Sequence, residues 1–216
     1  MVDDLKYDLR IYVLVNSVCP MRVYIHREGL ARFCTEPYSR PTARNMDNHF
    51  MHLTNYAINK FSSAYEAQSE GDEDSGHKRS LVAIMNILQS YGADKKKLMR
   101  EIKDIIVKTM TTSQPYLSHL YRSCQPEDPD NSMCFQILGF DVMIDKHFKP
   151  WLIEVNQSPS FATDSPLDYK TKKAVLADAL SMLNCSVKKR KKIMKKMAAR
   201  QESRILTGKT PKLDPA

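Results

Sequence analysis

The chain has 216 residues, of which 42% are hydrophobic, and a formal net charge of +8 at pH 7. No run approaches the roughly 20 apolar residues that a membrane-spanning helix needs, and the mixed, acidic start MVDDLKYDLR is not that of a secretory signal peptide. The five cysteines form no Cys-x-x-Cys pair, which disfavours a zinc site and favours a reducing, intracellular setting.

The first 35 residues predict an antiparallel meander of three strands. In the first strand, Leu9 to Val15, apolar residues alternate with Arg10, Tyr12 and Leu14. We expect a second strand over Met21 to His26 and, after a turn at Glu28 and Gly29, a third over 30–34. A first strand this apolar should be paired with another strand. Arg10 is either a clamp for a carboxylate or phosphate, or an exposed surface arginine.

Residues 35–48 predict a loop, and the next ten residues have neither a helical nor a strand period. Thr54, Asn55 and Tyr56 in that segment suit hydrogen bonding to a ligand, although a turn with an Asx cap explains them equally well. Residues 62–76 predict a solvated, mobile loop. Two core helices follow, one over 81–90 and one that is capped by Asp94 and ends before Pro115, after which we expect a loop over 116–132.

The stretch Gly139 to Asn156 predicts two strands joined by a polar turn. Period-2 alternation puts Glu154 and Asn156 on one face, and a symmetric hairpin puts Asp141 opposite Glu154. Like charges across a ladder are unfavourable, so a hard cation such as Mg²⁺ between them would explain the arrangement. The alternative is a solvated polar face on an edge hairpin.

The last predicted elements are two helices. The first begins with Ser165 as N-cap and Pro166 at the first helical position, runs to about Asn184, and turns Leu176, Ala179, Leu180 and Leu183 inward. Its early lysines suggest either a bound anion or a solvated basic face.

The second helix is a basic one over 187–206, because Lys188 to Arg204 contains nine Lys or Arg and one acid, a net charge of +8. Nucleic acid, an anionic membrane and an acidic protein surface are its possible partners. The absence of aromatic residues disfavours the first two. Residues 207–216 predict a disordered tail.

Four motifs together resemble the tubulin tyrosine ligase-like family, in its order and at compatible spacing. They are Asp8 to Tyr12 (DLRIY), His52 to Tyr56 (HLTNY), Gly139 to Asp141 (GFD) and Trp151 to Ser160 (WLIEVNQSPS). The segment TDSPLD, which ends at Asp168, and the basic tail are most similar to the polyglutamylating branch. The resemblance implies an α+β, ATP-grasp fold over residues 1–186, followed by a microtubule-binding helix.

The resemblance also implies an ATP- and Mg²⁺-dependent ligase. Such an enzyme activates a glutamate side chain of the tubulin C-terminal tail as an acyl phosphate, which the amino group of free glutamate attacks. By matching position, Asp141, Glu154 and Asn156 bind metal, with Glu154 bridging two ions. Thr54 and Asn55 contact the nucleotide. Arg10, Tyr56, Lys78 and Lys172 contact the substrate, and Arg10 and Glu154 are the catalytic pair. The implied location is the cytoplasm, at microtubules, including those of the cilium or basal body.

The chain departs from the family pattern at its start, where members carry a further domain, a glycine-containing loop over the phosphates and a phosphate-holding lysine. The chain has six glycines and no Gly-rich loop. We therefore expect the C-terminal part of a polyglutamylase, with a partner missing beside the first strand. An active ligase is the leading hypothesis, a non-catalytic microtubule-binding isoform or fragment is the alternative, and nucleic-acid binding has the least support.

Overall fold

The computed structural model describes residues 1–67, 75–126, 128, 133–183 and 187–208, with no side chain described at 189, 190 and 193. Its centre is one antiparallel sheet of five strands in the order β3-β2-β1-β4-β5. The strands are β1 (Tyr7–Val18), β2 (Met21–Phe33), β3 (Lys78–Ser80), β4 (Gln136–Ile144) and β5 (Pro150–Asn156). The helices are α1 (His49–His52), α2 (Tyr56–Asn59), α3 (Leu81–Ser90), α4 (Lys95–Cys124), α5 (Pro166–Leu183) and α6 (Val187–Thr207). The predicted α+β class, an antiparallel sheet with packed helices and a basic C-terminal helix, is confirmed.

Strand β1 is the central strand, and its alternation divides the sheet into two faces. Leu9, Ile11, Val13 and Val15 point to what we call the core face, whereas Arg10, Tyr12 and Leu14 point to the site face. Strand β1 pairs with β2 on one side and with β4 on the other, so both of its edges are already paired, and its apolar character is that of a central strand. The expectation of a partner missing beside this strand is therefore wrong.

Strand β2 is one strand from Met21 to Phe33, so the predicted turn at Glu28 and Gly29 and the three-strand meander are wrong. The strand instead bulges over residues 26–28, between the pairs Val13–Ile25 and Ile11–Gly29. Gly29 lies in the ladder opposite Ile11. A Cβ atom at Gly29 would lie 2.6 Å from the backbone oxygen of Arg10. The glycine is therefore needed for a close approach of two strands rather than for a turn. The strand that follows is β3, which the sequence pattern did not reveal because it has only three residues.

Helices α3 and α4 cover the core face, and their predicted apolar stripes are confirmed. Four residues of α3 (Leu81, Ile84, Met85 and Leu88) and four of α4 (Leu98, Ile102, Ile106 and Met110) are buried in one cluster with β1. Asp94 caps α4 as predicted by accepting hydrogen bonds from the backbone of Lys96 and Lys97.

Helix α4 contains Pro115 inside its 30 residues and ends at Cys124, so the predicted helix end before Pro115 and the predicted loop are wrong over 116–124. In the rest of that predicted loop, 127 and 129–132 lie outside the described residues. Proline removes one helical hydrogen bond. Contacts with the tip of the β1–β2 hairpin hold the helix on both sides of it. Gln114 donates to the backbone oxygen of Val18 at 2.9 Å, and Arg122 contacts the thiol of Cys19 at 2.8 Å.

Helix α5 packs on the site face, and its orientation differs from the predicted one. Leu176 and Leu180 are exposed, the latter by 61%, so only part of the predicted inward stripe is correct. The buried residues are Leu167, Asp168, Thr171, Lys172, Val175 and Ala179. The spacing of apolar residues predicts which apolar side chains are buried, but it does not identify charged residues that become buried by pairing with each other. The Ser165 cap is confirmed, since its hydroxyl accepts from the backbone of Asp168 at 3.2 Å.

Helix α6 confirms the predicted basic helix and extends it by one residue, to Thr207. The predicted disordered tail over 209–216 and the acidic part of the predicted mobile loop, 68–74, lie outside the described residues, as does the side chain of Ile193 in the expected apolar stripe. Within the described part of the chain, no helix combines the length and apolar composition of a membrane span. The four described cysteines are free thiols.

The core face should dominate stability. We expect Ile106→Ala to lower the free energy of unfolding by about 2–5 kcal/mol, because it removes a buried side chain and leaves a cavity. The neighbouring Val107→Ala, at a position 59% exposed, is the matched control and should change it by less than about 0.5 kcal/mol. Urea denaturation measures both. Equal losses for the two variants would contradict the assigned orientation of α4.

Candidate active site

The centre of the site face is a buried network of two arginines and two aspartates. Asp141 of β4 accepts hydrogen bonds from Arg10 (Nε to Oδ1, 2.5 Å, and Nη2 to Oδ2, 2.9 Å) and from Arg32 (Nη2 to Oδ2, 2.8 Å). Arg32 also binds both carboxylate oxygens of Asp8. The network exists because β1, β2 and β4 are adjacent and their alternation points all four side chains to the same face.

The network is nearly closed to solvent and electrostatically matched. Asp141 is 2% exposed and the side chain of Arg10 is 11% exposed. Burial alone would raise the pKa of Asp141, but hydrogen bonds and charge from Arg10 and Arg32 outweigh it and hold the pKa below its usual range. Arg10 is therefore buried in an ion pair with Asp141, so the alternative of an exposed surface arginine is wrong, whereas a clamp on the carboxylate or phosphate of a ligand stays a prediction.

Gly139 gives Arg10 the room to reach Asp141. A Cβ atom at Gly139 would lie 3.0 Å from Cδ of Arg10 and 3.0 Å from Cβ of Pro159. The glycine of the GFD motif therefore serves packing around the arginine stem.

The hairpin places the three expected metal-binding residues together. Asp141 lies opposite Glu154 in the ladder, as predicted, and Gly139 lies opposite Asn156. The Asn156 amide nitrogen donates to Glu154 at 3.0 Å and lies 3.3 Å from Oδ2 of Asp141. Glu154 is exposed on edge strand β5, so it is accessible to a ligand.

These three residues suit Mg²⁺ in their donor chemistry, with unequal contributions. The Asn156 amide group lies within hydrogen-bonding range of both carboxylates, and a half-turn of the amide would direct its oxygen to the same place. Asp141 already faces two guanidinium groups, so Glu154 would supply most of the uncompensated negative charge for a cation. Among the described residues, no group of three His, Cys, Asp or Glu side chains could hold a metal ion. The set here consists of two carboxylates and one amide.

A second buried ionic cluster lies where α5 meets β3. Asp168 binds Lys78 of β3 (Nζ to Oδ2, 2.5 Å) and Lys172 of its own helix (Nζ to Oδ1, 2.9 Å). Ser165 donates to the same carboxylate at 3.1 Å, and Lys172 also donates to the backbone oxygen of Ala162. Burial would raise the pKa of Asp168, but the two lysines outweigh it and keep the pKa below its usual range. Lys78 and Lys172, predicted as substrate contacts, are thus brought together around one carboxylate.

The HLTNY segment lies beside this second cluster. The Tyr56 ring sits 3.8 Å from Nζ of Lys78, a cation–π contact. Thr54 is buried and Asn55 is exposed at the N-cap position of α2. The Asn55 side chain makes no capping hydrogen bond, so the Asx-cap alternative does not explain this residue.

Asn59 holds the HLTNY segment in place. It is 1% exposed, and its amide nitrogen donates to the backbone oxygens of Leu53 and Asn55. Its amide oxygen accepts hydrogen bonds from the backbone and hydroxyl of Thr35. This single side chain therefore fixes the backbone that carries Thr54, Asn55 and Tyr56.

Tyr12 packs on the site face under the loop that leads into α5. Its ring stacks on Phe161 with centroids 6.0 Å apart. Burial raises the pKa of Tyr12 to about 12, with smaller effects from charges in both ionic clusters. The phenol is therefore neutral at physiological pH, and its ring packs in the apolar cluster with Leu14, Ile137 and Val175.

Sequence reasoning missed four residues of this site: Asp8, Arg32, Asn59 and Asp168. Asp8 lies in the DLRIY motif and Asp168 in the TDSPLD segment, but neither aspartate was assigned a role there. Arg32 and Asn59 gave no local signal, because their partners are distant in sequence: Arg32 bonds Asp141 across 109 positions, and Asn59 bonds Thr35 across 24.

Comparison with known proteins adds an independent observation. The model of the tubulin-tyrosine ligase family matches residues 1–193. The chain is 44% identical over 216 residues to the "Probable beta-tubulin polyglutamylase" of Tetrahymena thermophila, covering 100% of the chain and 18% of that protein.

Two vertebrate proteins are similarly close. The "Tubulin polyglutamylase ttll6" of Danio rerio is 45% identical over 205 residues, covering 95% of the chain and 26% of that protein. The "Tubulin polyglutamylase TTLL6" of Homo sapiens is 45% identical over 194 residues, covering 90% and 21%. The chain thus spans about a quarter or less of the length of these relatives.

The pKa of Asp168 predicts a pH-dependent contribution from Lys172. Lys172→Met should lower the free energy of unfolding at pH 7 by about 1–3 kcal/mol. A carboxyl whose folded pKa is depressed stabilises the fold fully above its unfolded pKa, about 3.9. That contribution is lost as pH falls further, so the difference between variant and parent should shrink below about pH 4.

The adjacent exposed lysine gives the control. Lys173→Met should have little effect at either pH, because Lys173 is exposed and contacts Tyr169, whose hydroxyl lies 3.2 Å from its Nζ, rather than a buried carboxylate. Denaturant titrations at pH 7 and pH 3 measure both variants. A Lys172→Met difference that persists unchanged at pH 3 would contradict the ionic role of this residue.

Proposed function

The chain belongs to the tubulin-tyrosine ligase family, and on that premise we propose that it carries part of the catalytic site of a tubulin polyglutamylase. The proposed reaction is the ATP-dependent addition of glutamate to glutamate side chains of tubulin C-terminal tails. The relatives that match nearly the whole chain are named as polyglutamylases of tubulin, which supports this substrate class.

One observation carries the proposal: Asp141, Glu154 and Asn156 meet on adjacent strands beside the guanidinium of Arg10. Phosphoryl transfer requires little covalent chemistry from the protein and depends on positioning and charge stabilisation. Two carboxylates and an amide oxygen would hold Mg²⁺, one or two ions, and Glu154 would supply most of the negative charge. Bound there, Mg²⁺ would neutralise negative charge on the transferred phosphate oxygens.

The buried cations suit carboxylate substrates. Arg10 uses Nε and Nη2 for Asp141, which leaves Nη1 as its remaining donor group. Lys78 and Lys172 share one aspartate, so their cluster has an excess of one positive charge. We assign Arg10, Tyr56, Lys78 and Lys172 to the amino-acid substrate and Thr54 and Asn55 to the nucleotide.

The proposed reaction has two steps. A side-chain carboxylate of tubulin attacks the terminal phosphorus of ATP, so that an acyl phosphate forms and ADP leaves. The amino group of free glutamate then attacks the acyl carbon, an amide bond forms, and inorganic phosphate leaves. Arg10 and the two lysines would orient the carboxylates, and no side-chain nucleophile is needed.

The proposed role of α6 is docking to microtubules, whose surface is acidic. Lys188 to Arg204 carries a net charge of +8, and charge attraction of this kind is long-ranged and salt-sensitive. The same helix would serve a non-catalytic microtubule-binding protein, which is the second candidate function. A location at cytoplasmic microtubules, including those of cilia or basal bodies, follows from either function.

Glu154 gives the test of catalysis. The chain is incubated with microtubules, ATP, Mg²⁺ and glutamate, and added glutamates are counted by mass spectrometry. We expect Glu154→Gln to slow incorporation by about 100-fold or more, because it removes the main negative charge available to the cation.

The control is Asp104→Asn, which neutralises an exposed carboxylate on α4, away from the site. It should leave the rate unchanged. Wild-type incorporation by Glu154→Gln would contradict the assigned role. Absence of incorporation by every variant, together with microtubule binding, would favour the non-catalytic function.

Helix α6 makes a separate prediction about binding. Changing Lys191, Lys192 and Lys195 together to Gln should weaken co-sedimentation with microtubules and reduce its salt dependence, since three cations are lost. Changing the three exposed lysines Lys60, Lys146 and Lys149 to Gln removes the same charge elsewhere and is the matched control. Equal weakening by both triple variants would contradict a specific role for α6.

A further inference from the structure

Strand β2 has an open edge along most of its length. Strand β3 pairs with β2 only from Leu30 to Arg32. Met21 to Ile25 lie along β1 on one side, residues 26–28 form a bulge with no partner in β1, and no described strand pairs with the other side of residues 21–28. We call residues 21–28 the open edge. An unpaired strand edge presents backbone donors and acceptors that another extended chain can use.

A hollow adjoins the open edge on the site face. It lies between β2 and α5, with a volume of about 300 Å³. Its lining is mostly apolar and aromatic, and includes Tyr12, Tyr24, Ile137, Val175 and Ala179. At its rim, Nε2 of His26 lies 3.3 Å from the carboxylate of Asp178 without a hydrogen bond, so this hollow carries one acidic group of its own.

A second hollow adjoins the same edge on the core face. It lies between β2, α3 and α4, with a volume of about 340 Å³. Its apolar lining includes Leu81, Met85 and Met99, and its cations are Arg27, Lys95 and Lys103. The two hollows share Ile25, His26 and Arg27 of β2, so they flank the same few residues from opposite faces.

We propose that the open edge binds an extended acidic peptide by adding it to the sheet as a strand. Successive side chains of a strand point to opposite faces. A peptide paired with the regular part of the open edge, residues 21–25, would therefore send alternate side chains towards the two hollows, which is how strand addition combines backbone hydrogen bonding with side-chain specificity. Acidic side chains face Arg27, Lys95 and Lys103, and apolar ones enter the hollow under α5.

Charge favours an acidic peptide over a second copy of this chain. Arg22 and Arg27 are exposed on the open edge. Two copies paired edge to edge would bring four arginines together, and like charges across a ladder are destabilising. An acidic peptide reverses the sign of that interaction.

The test uses the full chain and a blocked octapeptide in which four glutamates alternate with four leucines. Two N-methylated versions carry the methyl groups on all glutamates or on all leucines. In an added strand only every second N–H faces the protein. One version should therefore lose affinity by about tenfold or more, and the other should change Kd by less than about twofold. Equal effects of the two versions, or no binding of the parent peptide, would overturn the proposal.

Protein variants separate this site from general attraction to a basic protein. Lys103→Glu should weaken binding of the octapeptide by about tenfold, whereas Lys108→Glu, at an exposed position on the same helix outside the hollow, should not. A peptide with lysine in place of glutamate should fail to bind. Equal weakening by the two variants would overturn the proposal.

The same samples are examined by sedimentation velocity without peptide. If the chain forms dimers and Arg27→Glu changes the fraction of dimer, the open edge binds a second copy and the acidic-peptide proposal is overturned. A chain that is monomeric and binds the octapeptide supports the proposal. The assay contains no ATP, glutamate or microtubules, so its outcome is independent of the proposed catalysis.

Discussion

Asp141 lies between Arg10 and Arg32, and the rest of the site face is arranged around this buried carboxylate. Each of the three residues comes from a different strand, so the ion pairs form only when β1, β2 and β4 are in register. Breaking a buried ion pair by removing one partner typically costs about 3–5 kcal/mol, because the other charge stays buried. The network thus makes the register of three strands and the geometry of the site depend on each other.

In the second ionic cluster, buried charges likewise pair across different elements, here between a helix and a strand. Asp168 and Lys172 are buried on α5 because Lys78 of β3 meets them there. In the same orientation of α5, Val175 and Ala179 pack against the sheet and Leu180 lies in solvent. The orientation therefore satisfies the buried charges and the apolar contacts together.

The two faces of the sheet have different roles: one contributes the apolar core and the other carries the polar residues of the candidate site. The core face buries apolar side chains of β1 against α3 and α4. The site face carries both ionic clusters, the Tyr12–Phe161 stack and the hairpin with Glu154 and Asn156. Polar groups can be kept on one face because β1 alternates strictly and is paired on both sides. The open edge of β2 is flanked by a hollow on each face.

The sequence by itself determined the elements with a strong period: β1, β4, β5, the stripes of α3 and α4, and the basic helix α6. The expected pairing of Asp141 with Glu154 is present, but it depends on a register shift next to Val142, because the pairs from Ile144–Pro150 to Val142–Leu152 would otherwise continue to Ile153. Tertiary structure decided what local pattern cannot encode. Gly29 continues a strand because two backbones meet closely there, and Pro115 stays helical because the hairpin tip holds α4 on both sides. Arg32 became a site residue only when folding brought it to Asp141, 109 positions away, and Asp168 only when folding brought it to Lys78, 90 positions away. Pairing of distant charges is a property of the folded chain, since burial gives such a pair its strength and no short window of sequence contains both partners.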